Sequence, residues 1–313
     1  MPEPSISPLA QRSPAILVLL LLCAMVGGAL GGLLGDLVAG SMGVQMTDIT
    51  QGAAPRLLDL TQRNAVRWFN LLAHLGAFTL GSLATAWLAY RGGWLRNTYL
   101  NTWPRLQALP YILWLLLGGF FLMQLIYWLN RQLPLPDWMW DMENQQNWLV
   151  EQVIRMESPL EFLLTLLVAA VAPAFGEELL FRGLIQPQLR RWAGSVHLAV
   201  WVTAALFSAI HLQFAGFIPR LLLGAMLGYL LVWTGSLWAP ILAHFLFNGV
   251  QIVTVYAFGQ EFDTETPPEV NATSIGLALL GLVLFWWSAR QLQTLAPPPS
   301  EPEPSPTGPP DPG

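Results

Sequence analysis

The sequence lacks lysine, and arginine supplies all 14 of its basic side chains. Without a lysine amine, Schiff-base chemistry on a side chain and a serine–lysine catalytic pair are excluded. Cysteine occurs once, at Cys23, so the chain can form no internal disulfide and Cys23 is interpreted as a small core residue. The net charge of -5 and the lack of any basic run give no indication of a nucleic-acid partner.

Charged residues are also scarce, at 11% of the sequence, whereas 54% is hydrophobic. A globular protein carries about 25% charged residues. Several apolar runs here reach the roughly 20 residues that cross a bilayer. We therefore predict an all-α fold, a polytopic transmembrane helical bundle with a polar intramembrane site. About eight spans are expected, over residues 15–34, 68–90, 110–130, 160–187, 197–214, 219–234, 238–256 and 274–290.

Composition divides the chain into five regions. These are a cytoplasmic N-terminal tail (1–13), an N-terminal transmembrane region (14–157), a helical core with the polar motifs (158–256), a loop with the last transmembrane helix (257–292) and a disordered proline-rich tail (293–313). Where the second region meets the third, residues 131–159 are tryptophan-rich and acidic, which predicts a segment lying at the lipid headgroups. In the first span, Gly27, Gly31 and Gly35 form a stripe that lets a neighbouring helix approach closely.

Eight spans put both termini on one side, and the arginine distribution favours the cytoplasm for that side. We expect an integral membrane protein, in the plasma (inner) membrane of a prokaryote, with both termini cytoplasmic. The lipid bilayer is then one partner, and the oligomeric state is left open.

One charged stretch interrupts the fourth predicted span, Gly176-Glu177-Glu178-Leu179-Leu180-Phe181-Arg182-Gly183. A charged side chain in a span costs roughly 2.5–3.5 kcal/mol on insertion scales. Glu178 and Arg182 are four residues apart on one helical face and can pair. Glu177 points about 100° away and has no partner in its own helix. An unpaired carboxylate at that depth needs a partner from another helix or a chemical function.

Two later spans add histidine and asparagine to the polar set. Phe207 and His211 are four residues apart in one, and His244 and Asn248 in another, so each pair lies on one helical face. A carboxylate in an apolar helix can activate water as a general base. An imidazole can share that water, and a carboxamide suits a developing oxyanion. These groups together are sufficient for amide hydrolysis without a covalent intermediate.

In this order, Glu177-Glu178-x-x-x-Arg182, Phe207-x-x-x-His211 and His244-x-x-x-Asn248 resemble the three motifs of the CAAX-processing and bacteriocin-processing (CPBP, or Abi) intramembrane endopeptidase family. The resemblance covers about 158–252. It implies that a glutamate activates the hydrolytic water with a histidine as its partner, while histidine and asparagine bind the oxyanion. The catalytic set that it implies is Glu177, His211, His244 and Asn248. The supporting set is Glu178, Arg182 and Phe207.

The resemblance implies an intramembrane endopeptidase that hydrolyses a peptide bond near the membrane, in C-terminal CAAX-type, other lipidated-protein or peptide substrates. Two alternatives stay open. One is a noncatalytic membrane scaffold or bacteriocin-immunity-type protein of the same fold, and the other is a transporter with an intramembrane proton-relay acid.

Metal dependence is a separate question. We expect no cofactor, because using Glu177 as the base leaves two histidines and an asparagine, which is a poor ligand. The alternative is a metalloprotease with zinc bound by Glu177, His211 and His244. His74 stands alone in the second span and is interpreted as hydrogen-bonded scaffolding rather than a ligand.

Overall fold

A computed structural model of the chain describes residues 13–50, 57–259 and 270–296. Every regular element in these ranges is helical, as the composition predicts. The helices are α1 (Ser13–Ser41), α2 (Met46–Thr50), α3 (Leu60–Asn97), α4 (Leu106–Asn130), α5 (Asp137–Ile154), α6 (Pro159–Ala193), α7 (Val196–Ala209), α8 (Phe217–Thr234), α9 (Trp238–Phe258) and α10 (Ala272–Thr294). The two predicted tails lie almost wholly outside the described residues.

Seven of the helices in the described ranges are long and apolar enough to cross a membrane, namely α1, α3, α4, α6, α8, α9 and α10. The chain is therefore an integral membrane protein. The remaining predicted span is the shorter α7, whose 14 residues extend about 21 Å, less than the roughly 30 Å hydrocarbon core. A helix of this length that begins at the interface ends inside the hydrocarbon layer. The loop that follows α7, residues 210–216, is then brought to membrane depth.

The helix boundaries follow local sequence signals. Asp59 caps α3 in a capping box, in which its carboxylate accepts from the backbone N–H of Gln62 and the Gln62 side chain accepts in return from the Asp59 backbone. Ser158 caps α6, and Pro159 occupies the first turn, where its missing N–H costs nothing. Three helices end at glycines in the left-handed conformation, Gly194 after α6, Gly235 after α8 and Gly259 after α9.

The predicted glycine stripe of α1 faces α3 and sets how closely the two helices approach. A Cβ atom on Gly27 would stand 2.1 Å from the carbonyl oxygen of Gly76, and one on Gly31 would stand 2.2 Å from that of Leu72. A Cβ on Gly35 would also clash with α3, at 2.8 Å from the nearest atom. Only glycine permits this backbone contact, as expected for small-residue packing in membranes.

A buried ion cluster fixes the first turns of α3 and α6 against the end of α5. One oxygen of Glu161 lies 2.7 Å from Nη1 of Arg67 and 3.1 Å from Nη2 of Arg63. Arg67 also donates to the carbonyl oxygen of Val153, at 3.1 Å. Because Arg67 and Glu161 are almost completely buried, each charge depends on the other for compensation. The cluster sets the relative position of α3 and α6.

Each of these two helices is interrupted by π-helical turns. The turn in α3 covers Leu75–Leu80, and the turns in α6 cover Leu167–Val171 and Leu179–Ile185. A π turn inserts an extra residue, rotates the helical face that follows, and is frequent at functional sites. The α-helical segment between the two turns of α6, Ala172–Glu178, ends in the glutamate pair.

Candidate active site

Helix α6 presents the two glutamates to different neighbours. Glu177 is 7% exposed and Glu178 is fully buried. Adjacent helical residues point about 100° apart, so the two carboxylates leave the helix in different directions. Pro173 lies in the first turn of the α-helical segment Ala172–Glu178, which directly follows the π turn at Leu167–Val171.

Glu178 lies at the centre of a buried ion pair. Its Oε1 accepts from Nη1 of Arg182 at 2.8 Å and from Nδ1 of His244 at 2.8 Å. Arg182 also donates to the carbonyl oxygen of Gly224, at 2.8 Å, and its guanidinium stands 4.6 Å from the centre of the Phe207 ring. The predicted pair of Glu178 and Arg182 is present, and its contacts join α6 to α7, α8 and α9.

Glu177 has a direct partner that the motif reasoning missed. Its Oε1 lies 3.3 Å from Nε2 of His74 on α3. Its Oε2 is buried and has no hydrogen-bond partner among the described residues. No spacing rule links residue 74 to residue 177. The one sequence signal for His74 was its position as an ionisable residue in a predicted membrane span, which makes a residue a functional-site candidate by default.

His211 lies in the loop between α7 and α8. Its Nδ1 lies 2.8 Å from the carbonyl oxygen of Phe207. Because a carbonyl oxygen only accepts, Nδ1 is assigned the proton, and Nε2 of the neutral ring then keeps a lone pair. The backbone thus selects the tautomer that leaves Nε2 able to accept a proton.

Side chains from three helices hold the backbone of this loop. Asn130 at the end of α4 donates to the carbonyl oxygens of Phe214 and Ala215. Glu143 of α5 accepts from the backbone N–H of Ala215 at 2.7 Å, and Arg220 of α8 donates to a further loop carbonyl at 3.2 Å. Irregular backbone at membrane depth is tolerated only where protein or a wet cavity surrounds it. These contacts meet that requirement and position the loop that carries His211.

Phe207 separates the two histidines of the motifs. Its ring centre lies 5.1 Å from that of His211 and 5.9 Å from that of His244. Nδ1 of His211 is engaged by the backbone and Nδ1 of His244 by Glu178, so neither atom is bonded to Glu177. The structure therefore brings both motif histidines against one ring, that of Phe207.

Asn248 lies one helical turn, about 6 Å, along α9 from His244. Its Nδ2 donates to the carbonyl oxygen of Ala169 in the first π turn of α6, at 3.0 Å. A carboxamide has two N–H donors, so the second is available to another acceptor. This contact packs α9 against α6 and orients the carboxamide.

No group of three His, Cys, Asp or Glu side chains is arranged to hold a metal ion within residues 13–50, 57–259 and 270–296. The alternative zinc set, Glu177, His211 and His244, is therefore not drawn together as a ligand cluster. Instead, one oxygen or nitrogen of each is engaged by His74, Phe207 and Glu178, respectively.

Comparison with known proteins agrees with the motif resemblance over one part of the chain. An uncharacterized protein of Bacillus subtilis (strain 168), YpbD, is 33% identical over 96 residues, which are 29% of this chain and 43% of that protein. The match thus spans less than half of the length of that relative. No solved structure matches the chain significantly. A family model does match, over residues 159–250. This segment carries all three motifs, and it is similar to the type II CAAX prenyl endopeptidase Rce1-like family.

Proposed function

We propose that the protein is an intramembrane endopeptidase that hydrolyses a peptide bond near the membrane, in a C-terminal CAAX-type or other peptide substrate. One observation carries the proposal. The buried carboxylate of Glu177 has Oε1 bonded to His74, while its Oε2 has no hydrogen-bond partner among the described residues. A noncatalytic scaffold has no need of such a group. The match of residues 159–250 to an endopeptidase family supports the same reaction class.

In the proposed reaction, Glu177 Oε2 takes a proton from a water molecule. The resulting hydroxide attacks the carbonyl carbon of the scissile peptide, and the carbonyl oxygen becomes an oxyanion. The C–N bond then breaks, and the proton returns from Glu177 to the departing amine. The lone pair on Nε2 of His211 supports this route, because it can accept the second hydrogen of the water and so orient it.

His244 and Asn248 are the proposed oxyanion donors. Nδ1 of His244 lies 2.8 Å from the Glu178 carboxylate, and this contact orients the ring. In the proposed role, Nε2 of His244 carries a proton and donates it in a hydrogen bond to the oxyanion. Asn248 contributes the N–H that its contact with Ala169 leaves available. A preorganised donor of this type contributes about 2.7–4 kcal/mol to catalysis in known hydrolases.

The proposed mechanism is metal-independent, with zinc as the alternative. Activity that survives exhaustive chelation is expected. Loss of activity on chelation together with its restoration by added zinc would overturn this part of the proposal. For the cell, we propose the plasma membrane of a prokaryote with both termini cytoplasmic, which requires an even number of crossings. Seven crossings, one for each long apolar helix, would instead place the termini on opposite sides, and terminal reporter fusions distinguish the two arrangements.

Purified protein with a panel of fluorogenic prenylated and unprenylated peptides tests the proposed activity. Glu177→Gln keeps the shape of the side chain but cannot accept a proton, so kcat should fall by about 10²- to 10⁴-fold. Asp36→Asn is the matched control, because it removes an exposed carboxylate from the spanning helix α1 and should leave turnover unchanged. Equal turnover by wild type and Glu177→Gln would refute the glutamate mechanism. A wild type that cleaves no peptide in the panel would favour the noncatalytic scaffold.

A further inference from the structure

The direct partner of the proposed base comes from outside the segment that matches the endopeptidase family. His74 lies on α3, whereas the match begins at residue 159. The His74 and Glu177 side chains are only 17% and 9% exposed, and their contact spans 3.3 Å between Nε2 and Oε1. A charge-bearing contact this far from water is stronger than one at the surface, because the local dielectric is low.

The packing around His74 holds its ring in position for this contact. The His74 ring stacks on Phe78, with 4.4 Å between ring centres and 12° between planes. Gly176, next to the glutamate, has no Cβ, and a Cβ there would stand 3.1 Å from Cε1 of His74. Helix α1 packs closely against the opposite side of α3, where Gly27 contacts Gly76. The imidazole is thus held in place by an aromatic ring and by two helix contacts that require glycine.

The chemistry of the two side chains determines which of them donates the hydrogen bond. An ionised carboxylate only accepts hydrogen bonds, so Nε2 of His74 carries the hydrogen and donates to Oε1 of Glu177. This bond fixes the rotamer of the carboxylate, stabilises its charge and leaves Oε2 as the oxygen that can reach a water molecule. His74 need not touch the substrate to do this.

We propose that His74 is a positioning residue for the general base: by donating to Oε1 it fixes the rotamer of the Glu177 carboxylate and directs Oε2 toward the hydrolytic water. The inference rests on the proposed endopeptidase function and extends it to a residue of α3. Charge-assisted hydrogen bonds of this kind contribute enough that their loss slows a reaction by about 10- to 100-fold.

Two substitutions at one position test the proposal. His74→Leu fills a similar volume without a donor, and kcat should fall by about 10- to 100-fold with little change in KM. His74→Gln places an amide N–H near the position of Nε2 and should recover most of that kcat. His197→Gln is the matched control, because His197 is bonded to the hydroxyl of Tyr229, at 2.7 Å, away from the site. Wild-type kcat in His74→Leu would overturn the inference, as would equal losses in the Leu and Gln variants with a matching fall in Tm.

A spectroscopic readout separates this inference from the proposed activity. The infrared difference spectrum between wild type and Glu177→Gln isolates the carboxylate stretch of Glu177. In the His74→Leu background that band should shift, because the donor to Oε1 is gone. An unshifted band contradicts the inference whether or not any peptide is cleaved. If the band shifts but the protein cleaves no peptide, the hydrogen bond between His74 and Glu177 is supported, and only the proposed endopeptidase activity is contradicted.

Discussion

Removing the guanidinium of Arg182 should destabilise the protein strongly, because it strands a buried carboxylate. Arg182 and Glu178 are both fully buried, and their contact spans 2.8 Å. Breaking a buried ion pair by removing one partner costs about 3–5 kcal/mol. That corresponds to roughly two to four orders of magnitude in the folding equilibrium constant. The loss of the bond to Gly224 and of the contact with the Phe207 ring adds to the same change.

A double-mutant cycle separates the stranded charge from the lost packing. Arg182→Gln leaves His244 as the remaining hydrogen-bond partner of the Glu178 carboxylate within the described part of the chain. The double variant, Glu178→Gln with Arg182→Gln, removes both charges and keeps the shapes. The double variant should lose less unfolding free energy than the two single variants lose in sum. The difference is the coupling energy, which we expect toward the upper end of the range of about 0.5–3 kcal/mol seen for contacting residues. Arg155→Gln is the control, because Arg155 pairs with Glu157 at 3.1 Å with both side chains about half exposed.

Thermal unfolding of the purified protein in detergent, followed by the fluorescence of its 15 tryptophans, measures all four variants. The exposed control should lose about 1 kcal/mol or less. If the single and double variants at the buried pair are strictly additive, the pair does not stabilise the fold by mutual compensation of charge, and the reasoning above is wrong.

Two further perturbations target the surroundings of the site. Gly176→Ala places a Cβ 3.1 Å from His74 and should cost about 1–3 kcal/mol of stability together with activity, measured by unfolding and peptide turnover. Gly32→Ala, which meets no atom within 4 Å, should be neutral. Glu143→Ala should speed hydrogen–deuterium exchange in the 210–216 loop and lower kcat, since the loop loses a 2.7 Å bond, whereas Asp141→Ala on the exposed face of the same helix should do neither.

The fold class followed from the sequence because hydrophobic run length is a direct consequence of bilayer thickness. Each predicted span has its helix in the structure, and the glycine stripe of α1 packs as its spacing predicts. The exception is α7, which is shorter than the predicted span at 197–214. Run length counts apolar residues and does not detect where the backbone leaves the helix. The loop after α7 is apolar enough to extend the run, although side chains of α4, α5 and α8 make several of its backbone hydrogen bonds.

Part of the site was also accessible to spacing rules. The pair of Glu178 and Arg182 lies within one helix, where a separation of four residues dictates proximity. His211 and His244, in contrast, lie on separate segments, and no separation along the sequence fixes their relative position. The turn before α9, which leads to His244, is buried, with Ser236 and Leu237 completely enclosed. Ser236 bonds there to the carbonyl oxygen of residue 102, a long-range contact that no local pattern encodes.

The two adjacent glutamates depend on different parts of the chain, and this difference has a functional consequence. Both partners of Glu178, Arg182 and His244, lie within the family-matched segment, so its charge is compensated by the motifs themselves. Glu177 is instead contacted by His74, which α1 and α3 bring into place. A group buried in low dielectric responds strongly to a single neighbouring donor. Changes in α3 can therefore adjust the reactivity of Glu177 while every motif residue stays the same, which places control of the proposed base in the N-terminal half of the bundle.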